Sequence, residues 1–167
     1  MQILRKEDAP DVLKRKSLDA FLAQLSSELP LVKGAYSAPT DSGVQIALAK
    51  LIAYQFREAF PVCLYVTDWG IAMEHMDLFY RYRQSFGEKR PLIEAPVHVF
   101  ERGDEDAFVS VLSVVLFFSW DASVFDVAGR SLFQTSHDGW LELRTREESV
   151  AKEVAAYLES KVTLLAP

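Results

Sequence analysis

The residues of this chain best suited to chemistry lie near its C-terminal end. Two polar and aromatic clusters interrupt apolar runs there, Trp120-Asp121 and Ser136-His137-Asp138-Gly139-Trp140. Asp121 follows the run Val114 to Phe118 almost directly, and an aspartate so near a core must be hydrogen-bonded, ion-paired or at the rim of a sheet. Asp68-Trp69 follows the run Val62 to Val66 in the same way. Asp68, Trp69, Trp120, Asp121, His137, Asp138 and Trp140 are therefore the candidate functional corner.

What these residues could do is bounded by their spacing. Ser136-His137-Asp138 holds the residue types of a hydrolase triad, but strand neighbours point to opposite faces and a triad needs convergence. No G-x-S-x-G elbow is present. The simpler expectation is an Asp-Gly turn with Gly139 at positive φ. The only histidines are His75, His98 and His137, there is one cysteine, and H-E-x-x-H is absent. A metal centre would have to be assembled across strands from Asp121, Asp126, His137 and Asp138, and the expectation is no metal and no catalytic residue. The glycine-rich phosphate-binding patterns are also missing, so no cofactor is expected. Asp68 and Asp121, both at strand ends, could pair as carboxylates, as could many of the 24 acids.

A second kind of chemistry is recognition. Tyr80, Arg81 and Arg83 are residue types that anchor protein interfaces, and they form the candidate interface. Arg81, Arg83, Lys89 and Arg90 make a basic segment opposed only by Glu88, whereas the stretch 94–126 carries seven acids and one base. Such asymmetry steers association more than it supplies affinity.

The elements that must position these residues are legible in the apolar pattern. Residues 1–16 are charged and read as a loose arm. Ser17 caps a helix with a stripe of Leu18, Phe21, Leu22, Leu25 and Leu29, ended by Pro30. Loop residues fill 34–43, and Asp41 or Ser42 caps a second helix that stops before Pro61. Val62 to Val66 reads as a buried strand carrying an inert core Cys63. A helix from about Glu74 ends at Gly87, and Val97-His98-Val99 alternates like an edge strand. Asp104 begins a short helix over about 105–113, which passes into a strand reaching about Phe125. Residues 131–135 and 140–144 complete a meander, and Thr145 with Glu148 forms a capping box for the last helix.

This order predicts one α+β domain over residues 1–167. It has an antiparallel sheet of four to five strands, a C-terminal three-strand meander, and helices packed mainly on one face. The net charge of −6 argues against nucleic acid as a partner. No apolar run approaches the ~20 residues that span a bilayer, and the charged N-terminus is unlike a signal peptide, so a cytoplasmic location without membrane association is expected. The functional expectation is a non-enzymatic protein-interaction module, immunity- or adaptor-like, whose partner is another protein. The alternative is a small hydrolase or ligand-binding domain with its site at the Trp120-Asp121/His137-Asp138 corner. The sequence leaves the oligomeric state open.

Overall fold

The computed structural model describes residues 1–13, 17–69 and 73–165. Along the chain run β1 (Gln2–Leu4), a 3-10 turn (Lys6–Asp8), α1 (Ala9–Leu13), α2 (Leu18–Glu28), β2 (Tyr36–Ser37), α3 (Ser42–Phe56) and β3 (Val62–Asp68). These are followed by α4 (Met73–Gln84), β4 (Val97–Phe100), α5 (Glu105–Phe117), β5 (Asp121–Asp126), β6 (Ser131–Thr135), β7 (Trp140–Thr145) and α6 (Glu148–Lys161). The strands form one antiparallel seven-stranded sheet in the order β1-β4-β3-β5-β6-β7-β2. The class is α+β, as the order of elements predicts.

Strand alternation sends side chains to two cores. Val62, Leu64, Val66, Val124, Phe133, Leu141 and Leu143 face the larger one, under α3, α4, α5 and α6. Cys63, Tyr65, Val97, Val99, Phe125 and Leu132 face a smaller core, closed by α2 through Leu18, Phe21 and Leu25. Burial pushes the Cys63 thiol up to about 12, which leaves it protonated and inert. The capping expectations hold for the first helices: Ser17 Oγ accepts from the Ala20 amide, and Asp41 Oδ1 from the Val44 amide.

The sheet has more strands than the four to five expected. The two additional strands, β1 and β2, are three and two residues long, too short to show a period. Gln2–Leu4 was expected in a loose arm; it pairs with β4, and Arg90 Nη2 donates to the Ile3 carbonyl and ties the strand down. Residues 14–16 of that arm lie outside the described residues. Pairing with β1 also makes β4 an interior strand instead of an edge, and all four of its residues are buried.

The larger difference lies at 114–120. The helix α5 continues to Phe117, where a strand was expected from about residue 114. Phe108, Val111, Leu112, Val115 and Leu116 keep one helical face buried, and that period outweighs the strand propensity of the run. The helix stops at Ser119, which takes φ 51°. The Trp120 amide donates to the Val115 carbonyl and the Ser119 amide to the Leu116 carbonyl, so the stop is a Schellman motif with serine where glycine is usual. Thr145, expected as a helix cap, is the last residue of β7 and pairs with Ser131 across the sheet, so α6 begins later, at Glu148.

Candidate functional site

The ends of three segments meet beyond the sheet. β5 begins with Asp121, and in the β3–β5 register Asp68 lies directly opposite it, after a bulge that follows Val66. A bulge re-aims the residues that follow it, which brings Asp68 to the same rim. The β6–β7 connection supplies His137. In that loop the Ser136 amide donates to the Trp140 carbonyl, and Gly139 takes φ 81°, the conformation that glycine tolerates best.

Asp121 is the hub. Its Oδ1 accepts from the His137 backbone amide at 2.6 Å and lies 2.9 Å from Nδ1 of the same ring. His137 Nε2 is 3.6 Å from Asp138 Oδ1. One carboxylate oxygen from each of Asp68 and Asp121 and one ring nitrogen of His137 lie within 4.8 Å of one another. Hydrogen bonding to Asp121 raises the His137 pKa above its ordinary value, and the charges of Asp138 and Asp68 act in the same direction. Asp68, His137 and Asp138 are exposed, and Asp121 is partly covered.

The other corner residues have different places. Trp120 is fully buried, with its ring 5.3 Å from Phe79 and 5.4 Å from Phe118, so it supports the rim from the core instead of lining it. Its Thr135 neighbour donates to the Trp120 carbonyl, which fastens β6 to the start of β5. Trp69 is partly buried against the larger core, and Trp140 is half-buried opposite Ser37. The sequence Thr67-Asp68-Trp69-Gly70 reads as a turn after the strand, and its last residue, Gly70, lies outside the described residues. Asp126, weighed as a ligand with His137, is at the far end of β5. It is buried and accepts from the amides of Arg130 and Ser131.

As chemistry, the corner is an Asp–His pair with a second carboxylate opposite. Ser136 does not complete a triad: its Oγ accepts from the Asp138 amide, and its side chain is buried. The arrangement can hold a proton on His137, orient a water, or present two oxygens and a nitrogen to a cation.

The candidate interface is corrected at one residue. Arg83 is fully buried, and its Nη2 donates to the Ala95 carbonyl at 2.7 Å, so it cannot face a partner. Its Nε and Nη1 make no hydrogen bond among the described residues, and burial lowers its pKa to about 10. Its position on the inner side of α4 follows from Phe79, four residues earlier, which is also buried. Arg81 is exposed and paired with Asp77, and Tyr80 donates to the Lys89 carbonyl.

Two features escaped sequence reasoning. His98 is fully buried beside Arg83 and Phe79, and burial lowers its pKa to about 3, with the Arg83 charge acting in the same direction. The second is a groove of about 620 Å³ between α6 and residues 30–33. Leu31 and Val32 form one wall, and Ala151, Ala155 and Ala156 of α6 the other. Lys33 pairs with Glu159 at one end. Alanine at 151 and 155 is an i,i+4 signal that could have found it.

Among the described residues, no helix is long and apolar enough to cross a membrane. No protein-family model, curated protein or solved structure matches the chain.

Proposed function

We propose that this protein is a non-enzymatic interaction module that binds another protein through the groove between α6 and residues 30–33. The observation that carries this reading is the groove's lining. Small alanine side chains on α6 let a partner's backbone approach closely, and Leu31 stays exposed beside them. The occupant that fits is an amphipathic segment, its apolar face on the alanines. Exposed Lys152 on the rim makes no ion pair among the described residues and is available to an acidic side chain of that segment. Arg83, being buried, plays no part, so the anchors differ from those the sequence suggests.

The test is affinity purification of the full chain from its native cells, with partners quantified for wild type and variants. Ala151→Arg with Ala156→Arg fills the groove. A partner enriched by wild type should be lost with that double variant and kept with Arg81→Glu. Equal recovery on the groove-filled variant overturns the reading.

A second reading keeps a ligand-binding or hydrolytic site at the Asp121–His137 corner. The convergence of Asp68, Asp121 and His137 favours it. With Ser136 turned inward, hydrolysis there would use water as the nucleophile.

A further inference from the structure

We infer that Asp68, Asp121 and His137 form a binding site for one divalent transition-metal ion of the Zn²⁺ type. The inference rests on the corner named in the second reading but not on any turnover there.

Three observations carry it. First, the donor set is mixed. Two carboxylate oxygens and an imidazole nitrogen suit a borderline ion such as Zn²⁺, whereas Ca²⁺ and Mg²⁺ favour oxygen ligands in higher number. Second, the distances suit closure around a small ion. Ligand atoms on a tetrahedral Zn²⁺ with bonds of about 2.0–2.1 Å sit roughly 3.3 Å apart. Here the three atoms are already within 4.8 Å of one another. Asp68 and His137 are exposed at the sheet rim, so their side chains have room to close on an ion.

Third, the backbone holds two like charges together. Asp68 and Asp121 are direct cross-strand partners. Like charges in that position destabilise a sheet unless they are compensated, and a cation bound at the corner would compensate both carboxylates at once. The surroundings are arranged as around a ligated histidine. The His137 amide fixes the Asp121 carboxylate at 2.6 Å, and His137 Nε2 faces the Asp138 carboxylate at 3.6 Å. A small rotation would let the Asp138 carboxylate accept from Nε2, the arrangement that leaves Nδ1 for an ion. Three protein ligands leave coordination positions for water.

The experiment is calorimetric titration of the chelator-treated full chain with ZnCl₂, repeated with Asp68→Asn, His137→Ala and, as control, His75→Ala. One ion per chain is expected, with affinity lower by about tenfold or more in the first two variants and unchanged in the control. Because Asp68 is exposed, Asp68→Asn tests the site without threatening the fold. Absence of Zn²⁺ binding, or binding indifferent to both variants, overturns the inference. The two readings of the corner separate cleanly. Zn²⁺ binding with no hydrolysis leaves the site standing and ends the hydrolase reading. Hydrolysis that survives chelation, in a chain that binds no Zn²⁺, ends the metal site and leaves the hydrolase reading standing.

Discussion

Asp121 and His137, sixteen residues apart, are joined twice: the carboxylate Oδ1 accepts from the His137 backbone amide at 2.6 Å and lies 2.9 Å from its ring Nδ1. The start of a central strand and the tip of a hairpin are thereby held as one unit. In metal-free buffer the His137 pKa, followed by NMR of the imidazole protons, should lie above the ordinary histidine value. Asp121→Asn should return it toward that value. Because the folded pKa is raised, this contribution to stability is complete below the unfolded value and lost as pH rises through the folded one. Asp121→Ala also removes the acceptor of the His137 amide and should cost about 1 kcal/mol in urea unfolding.

Ser119 holds the left-handed conformation that ends α5. A residue with a Cβ there costs roughly 1–2 kcal/mol, and glycine avoids that cost while losing some entropy on folding. Ser119→Gly should therefore stabilise the protein by about 0.5–1 kcal/mol. Thermal unfolding measures it, and an unchanged or lowered midpoint would count against the Schellman account.

Arg81 and Arg83 are two residues apart but opposite in environment. Arg81→Glu replaces one half of an exposed pair and should leave the unfolding midpoint nearly unchanged. Arg83→Glu puts an unpaired carboxylate into the core and should cost about 3 kcal/mol or more. Denaturant titration of both, with Arg83→Met as the volume-preserving comparison, checks the contrast.

His98 is buried and uncharged, with its pKa held at about 3. The carbonyls of Leu64 and Pro96 favour its charged form but do not offset burial, and neither ring nitrogen makes a full hydrogen bond among the described residues. Since the folded pKa is depressed, the contribution is complete above the unfolded value near 6.5 and declines as pH falls below it. The slope between about pH 6 and 4 should approach 1.4 kcal/mol per pH unit from this residue, and His98→Phe should remove it. Stability measured across that range in both proteins decides the point.

Much of the fold was legible because long elements carry a period. The stripe from Leu18 to Leu29, the apolar run Val62 to Val66 and the alternation of β7 each appear where the spacing predicts. What was hidden depended on partners far along the chain. β1 and β2 exist only because β4 and β7 offer them edges. The end of α5 turned on one serine accepting a conformation usually given to glycine. Asp121 could be singled out from its place after a core run, but the register that sets it opposite Asp68 could not, because pairing is not written in either strand alone. Arg83 reads as a surface residue by type, and only the packing of α4 through Phe79 turns it inward.

The claim that the α6 groove is the binding surface is tested most directly by photo-crosslinking in living cells. A photoreactive amino acid is placed singly at Ala156, at Arg81 and at Asp138, all exposed. The groove account predicts a discrete adduct with one protein from Ala156, abolished by Ala151→Arg, and none from the other two positions. Adducts confined to Arg81 or Asp138, with Ala156 silent, would contradict it.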